Sequence, residues 1–265
     1  MSTSTERRTP RADCIADSAG GVTFDIAGVA APDAALVLRR RGGTAPEDTV
    51  RLPLTPAGAG HSRAVLPSTV ELAEGRWDAY TDDDVPIEPG IRDLRALVDR
   101  IPEGGRVAVR VPYPTVEGRL AVRSWVREPH AEAGDIGCAS GSCTVEGALY
   151  GAELGEGAVA EARLGDRVHE VPVSGEGSTF TFTLPYATLA PEPGAAPVEG
   201  QQLWTLWLRL AADARPVRIS RILDDVWDRR NVFLYPAHQG DGYQATPLYT
   251  TDNDLCVRLT PKDDG

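Results

Sequence analysis

At 265 residues, with 42% hydrophobic and 25% charged side chains, the chain has room for one large or two ordinary domains, and that balance fits neither a disordered nor a membrane-embedded protein. No run approaches the roughly 18 consecutive apolar residues of a transmembrane helix, and residues 1–10 lead into no apolar stretch of signal-peptide type, so the expected location is the cytoplasm. A formal charge of −12 disfavours nucleic acid and anionic membranes as partners, because the long-range field repels both.

Residues 1–12 read as a disordered tail. After it, short alternating runs at 22–29, 35–40, 49–54, 62–66, 75–80, 106–113 and 120–127 have the period-two pattern of strands. Turn-forming clusters separate them: Gly42-Gly43-Thr44-Ala45-Pro46, Pro56-Ala57-Gly58-Ala59-Gly60 and Asp82-Asp83-Asp84. Long amphipathic helices are absent, and the expected class is all-β, sandwich or barrel. Pro, Gly and charge interrupt the alternation at 128–135, which sets a first domain at 13–128 and a second at 129–265.

The second half repeats the first in order. Residues 141–147 answer 20–26, 159–164 answer 36–39, 169–173 answer 50–54, and 182–185 answer 64–67. Then 203–208 answer 75–80 and 219–224 answer 91–94, and the stretch from Tyr249 to Arg258 answers the one from Tyr113 to Arg123. The order predicts an internal duplication whose two copies each end in a hairpin. Residues 190–200, carrying Pro191, Pro193 and Pro197, stand out as a long loop of the second copy.

Cys14, Cys138, Cys143 and Cys256 form no CxxC pair and read as reduced, mostly buried thiols. The histidines are isolated from them, so no structural zinc and no cofactor is expected. Ser140-Gly141-Ser142-Cys143 supplies nucleophiles and His169 or His238 a base, but nothing in the sequence joins them, and a core role for Cys143 is favoured. His169 and Glu170, adjacent on a strand, point to opposite faces. The mixed charges of 219–230 read as a solvated surface, and Asp252-Asn253-Asp254 as an Asx-capped turn rather than a calcium loop. Trp204 and Trp207 face opposite sides of a strand, so only one belongs to the core. With Trp227 and Tyr243 they are the expected ligand-binding aromatics of the second domain.

The phrase Pro112-Tyr113-Pro114-Thr115, continued by Gly118-Arg119-Leu120-Ala121-Val122-Arg123, resembles the repeated Ig-like β-sandwich modules attached to actinobacterial wall-polymer glycosyltransferases and glycerophosphotransferases. The resemblance implies two tandem Ig-like β-sandwich domains acting as a non-catalytic binding or assembly module beside a transferase. Its partner would be a protein, a glycan or a glycosylated small molecule. A nucleotide-binding signature is missing: there is no GxGxxG after a strand and no P-loop. The competing expectation is a small enzyme, a transferase or other biosynthetic catalyst, with its site in the cleft between the two domains and acid/base groups from His169, Asp224, Asp225 and Tyr243. A third is a homodimerisation scaffold that uses exposed strand edges.

Overall fold

A computed structural model describes residues 9–29, 33–98, 100–102, 104–139, 141–190 and 198–262. Ser140, Pro191, Pro193 and Pro197 lie outside the described residues, as does most of the expected tail. The described chain is all-β and divides into two compact units. The first runs to Ile101 and includes Ala108–Val126 and Leu223–Trp227; the second holds Pro102–Val107, Arg127–Ile222 and the residues from Asp228 on.

Ten strands are assigned in and around the first unit: β1 (Arg11–Ala16), β2 (Val22–Ala27), β3 (Ala35–Arg40), β4 (Thr49–Pro53), β5 (Thr55–Gly58), β6 (His61–Leu66), β7 (Gly75–Thr81), β8 (Glu88–Asp93), β9 (Val107–Pro114) and β10 (Leu120–Arg127). They form two five-stranded sheets, β5-β6-β2-β1-β8 and β4-β3-β7-β10-β9. Strands β2 and β6 bury alternate residues, so Phe24, Ile26, Ala64 and Leu66 meet Leu36, Leu38, Trp77 and Val122 in one core. The chain enters the first sheet at Arg11 and Ala12 is fully buried, so residues 11 and 12 belong to the first sheet.

The second set is β11 (His130–Ala139), β12 (Ser142–Tyr150), β13 (Val159–Leu164), β14 (Arg167–Ser174), β15 (Thr179–Pro185), β16 (Gln202–Arg209), β17 (Val217–Ser220), β18 (His238–Gln239), β19 (Tyr243–Tyr249) and β20 (Leu255–Pro261). Strand β11 occupies most of the segment whose Pro, Gly and charge marked an interruption in the sequence. Its residues pair with β12 across a bulge between Ala133 and Ile136.

The strand pairings of the second set repeat those of the first. In the first, β1–β2, β2–β6, β3–β4, β3–β7, β7–β10 and β9–β10 are neighbours, with β1 parallel to β8. In the second, the matching pairs are β11–β12, β12–β15, β13–β14, β13–β16, β16–β20 and β19–β20, with β11 parallel to β17.

One difference corrects the expectation of two separate sandwiches. Strand β14 pairs with β13 through Arg167–Pro172 and with β15 through Val173 and Ser174. Strand β17 pairs with β16 through Val217 and Arg218 and with β11 through Ile219 and Ser220. Each turns a corner from one sheet to the other, so β13-β14-β15-β12-β11-β17-β16 close into a seven-stranded barrel extended by β20, β19 and β18. Their counterparts β4 and β8 each pair within one sheet only, which leaves the first unit open.

Four turns share one set of bonds, starting at Asp17, Thr81, Thr115 and Thr250. In each, that residue's N–H donates to the carbonyl four residues on, and its own carbonyl accepts the N–H three residues on. Its side-chain oxygen also accepts the N–H of the fourth residue. The third position is left-handed: Gly20, Asp84, Gly118 and Asn253, at φ of 93°, 59°, 74° and 59°. This is a type I turn followed by a left-handed residue, a common hairpin closure. It also sets Thr115 against Thr250, so Tyr113 and Tyr249 are offset by one residue and their side chains do not correspond.

Candidate functional site

The second unit carries a recess of about 160 Å³ lined by Cys138, Ala139, Gly141, Ser142, Tyr186, Pro236, Ala237 and His238. The antiparallel ladder of β11 and β12 sets Cys138 directly opposite Cys143. Tyr186 follows Pro185, where β15 ends in a 3₁₀ turn, and its N–H donates to the Gly141 carbonyl at 2.9 Å. That bond holds the phenol over the β11–β12 hairpin, and the phenol hydroxyl reaches Cys138 Sγ at 4.0 Å.

His238 forms the facing wall. Its ring lies 5.7 Å from that of Tyr186 and 6.3 Å from that of Tyr243. A Cβ on Gly141 would come within 3.3 Å of the imidazole, so glycine is what lets the ring approach. Gly141 also sits at φ 84°, which L side chains rarely adopt. The Ser142 hydroxyl donates to the Ala139 carbonyl at 3.0 Å and helps to close the hairpin.

Burial sets the protonation of this site. It raises the Cys138 thiol, pushes Cys143 up to about 12, and raises the Tyr186 phenol strongly. At neutral pH all three are predominantly protonated, so they pack and donate, and only a small thiolate fraction is present.

The residues singled out from sequence fall in several places. His238 does line the same recess as Gly141 and Ser142, whereas Cys143 is fully buried behind it. His169 lies instead against Trp204, ring centroids 5.1 Å apart. The adjacent Glu170 accepts a hydrogen bond from Arg209 at 2.5 Å, consistent with opposite faces. Asp224 and Asp225 fall in the first unit, while His169 and Tyr243 fall in the second. Asp224 accepts the Val226 N–H at 2.8 Å, and Asp225 is exposed.

Among the expected ligand-binding rings, Trp204 is fully buried and therefore a core residue, with the Arg167 guanidinium 4.7 Å from its ring. Trp207 lies on the opposite face, near Arg218 and Arg163 at 4.8 and 5.6 Å from the ring centre. Its indole N–H donates to the Thr205 hydroxyl at 2.8 Å. Tyr243 is buried behind His238, and Trp227 stacks on Tyr113 at 4.5 Å within the first unit.

Beside Trp207, the 3%-exposed Glu161 accepts from Arg163 and Arg209, each at 2.7 Å. The mixed-charge segment is less solvated than expected. Arg229 is fully buried, its Nε donating to the Arg221 carbonyl at 2.7 Å and its guanidinium 4.8 Å from the Phe233 ring. Burial lowers its pKa to about 10.

Little in the sequence warns of the recess, because its three parts lie on β11–β12, after β15 and at β18. Its forerunners in the sequence were the Gly141-Ser142-Cys143 segment and His238, set together there as nucleophiles and base. Among the described residues no cluster of three or more His, Cys, Asp or Glu side chains is arranged to hold a metal. No helix among them is long and apolar enough to cross a membrane.

No family profile matches the sequence, and no curated protein matches it. Among solved structures, the chain is similar to S. aureus TarS, with 13% identity and a TM-score of 0.31 over 65% of this chain and 34% of that one. S. aureus TarS 217–571 gives 11% identity and a TM-score of 0.29, covering 65% of this chain and 54% of that one. A full extracellular region of plexin A4 gives 7% identity and a TM-score of 0.20, over 97% of this chain and 40% of that one. The chain thus spans about a third and about half of the two TarS chains.

Proposed function

We propose that the chain is a cytoplasmic, non-catalytic binding or assembly module, accessory to a glycosyl- or glycerophosphate-transferase, whose recess takes one ring of a glycan or glycosylated small molecule. The recess walled by Tyr186 and His238 carries the reading. Its volume of about 160 Å³ lies below the ~300–1,000 Å³ of drug-sized sites, which suits a single sugar ring rather than an extended oligosaccharide. The partly exposed imidazole of His238 offers a face for the C–H edges of such a ring and a polar contact, with the buried Tyr186 packed behind it. Protonated thiols and phenol favour binding over covalent chemistry.

The matching strand pairings support reading the two units as tandem Ig-like modules related by duplication, the second closed into a barrel by its corner strands. Domains at 13–128 and 129–265 follow from that reading, with residues 11 and 12 joined to the first by β1, and the transferase association rests on the resemblance around Tyr113.

Saturation-transfer NMR against a panel of mono- and disaccharides, with glycerol phosphate included, tests the proposal. The expected result is contact with one ring of a bound sugar, and His238→Ala weakens binding at least tenfold with an unchanged melting temperature. Binding that is indifferent to His238, or turnover of a glycosyl donor by the isolated chain, overturns it.

A further inference from the structure

We propose that Cys138 and Cys143 are an oxidisable pair that closes a reversible cross-strand disulfide when the protein meets a low-molecular-weight disulfide. The inference is independent of what the recess binds. Directly opposed residues of an antiparallel pair have Cα atoms about 4.5–5.5 Å apart, inside the roughly 4.4–6.8 Å that disulfides span. Cys138 and Cys143 are such partners, and both are free thiols. Opposed residues share a face of the sheet, and here both thiols meet the same phenol, that of Tyr186.

Access is asymmetric. Cys138 is partly exposed and lines the recess, whereas Cys143 is buried. Cys138 is therefore the thiol that attacks first and Cys143 the resolving one. Cys138 loses its proton and attacks one sulfur of the small disulfide, forming a mixed disulfide and releasing one small thiolate. Cys143 then loses its proton and attacks Cys138 Sγ, expelling the second small thiolate. Two protein thiols become one disulfide, and the small disulfide is reduced to two thiols once the released thiolates take up the two protons. The remaining cysteines serve as internal references. Cys14 opposes Phe24 and Arg92, and Cys256 opposes Thr205 and Leu248, so neither has a cysteine across its ladder.

Because burial raises both thiols, the reaction is slow at neutral pH and accelerates about tenfold per pH unit while the thiolate fraction grows.

The test incubates the full-length protein with glutathione disulfide at pH 7 and pH 8.5, quenches with acid, blocks residual thiols under denaturing conditions and reads mass. The expected product has lost two hydrogens, located on the tryptic peptide spanning residues 128–163, which contains both cysteines. Cys143→Ala should stop at a glutathione adduct on Cys138, and Cys138→Ser should remain unmodified over the same time. A dithiol wild type under conditions where Cys143→Ala takes up glutathione overturns the proposal. So does a disulfide that involves Cys14 or Cys256. Circular dichroism of both variants, read alongside, confirms that the mass results come from folded protein.

Discussion

The side-chain carbonyl of Asn253 accepts the main-chain N–H of Arg229 at 3.1 Å, while the Asn253 backbone holds a left-handed φ of 59°. Its own carbonyl accepts the Arg221 N–H at 2.9 Å. One fully buried residue thus closes the β19–β20 hairpin and ties down the segment that carries Arg229. Gly118, at the same position of the β9–β10 turn, closes that hairpin alone.

Substitutions at these two positions should separate the roles. Asn253→Gly keeps the backbone conformation but leaves the buried Arg229 N–H without its acceptor, costing about 1–3 kcal/mol. Asn253→Ala adds roughly 1 kcal/mol of left-handed strain. Gly118→Ala, with open space around its Cβ, should cost only the strain, about 1 kcal/mol. The urea midpoint should fall least for Gly118→Ala, more for Asn253→Gly and most for Asn253→Ala, and equal losses at Asn253→Gly and Gly118→Ala would contradict the tie to Arg229.

Gly147 on β12 is required by packing rather than by φ. A Cβ there would lie 2.3 Å from the Glu132 carbonyl oxygen and 2.4 Å from Phe180 Cζ. Gly147→Ala should destabilise by about 1–3 kcal/mol, as overpacking does. Gly137 on β11 has nothing within 4 Å of a Cβ, so Gly137→Ala should leave the melting temperature within a degree or so of wild type, surface changes being near neutral.

Glu161 accepts from two guanidiniums while almost fully buried. Glu161→Gln removes the charge that both arginines share, and the expected loss is about 2 kcal/mol, below the 3–5 of fully buried pairs because both arginines reach solvent. Chemical denaturation in low and high salt checks this: the loss should persist at high salt, since burial protects the interaction from screening.

Alkaline pH should weaken the fold. Burial pushes Cys14, Cys143 and Cys256 each from 9.0 to about 12, so the unfolded chain gives up these protons first. Their stabilisation is complete below pH 9 and is lost as pH climbs toward 12. Each thiol should cost about 1 kcal/mol by pH 10. Arg229 acts in the opposite sense, because its lowered pKa makes the folded state release a proton earlier, but only above pH 10. Melting temperatures at pH 8 and pH 10 under reducing conditions read the balance, and an unchanged value would count against the buried thiols.

The all-β class, the order of matching segments and the opposed faces of Trp204 and Trp207 were legible in the sequence, because alternation and turn chemistry are local. A strand's period is written in its own residues, and Thr115 through Gly118 and Thr250 through Asn253 each encode a turn without help from the rest of the chain. Tertiary structure alone decided the closure of the barrel, which depends on β14 and β17 each reaching two sheets. It alone buried Arg229 in a segment whose charges look solvated, and it alone brought Tyr186 and His238 to the thiol of Cys138. These are contacts between residues tens of positions apart, and nothing in a local pattern records which distant surface will cover it.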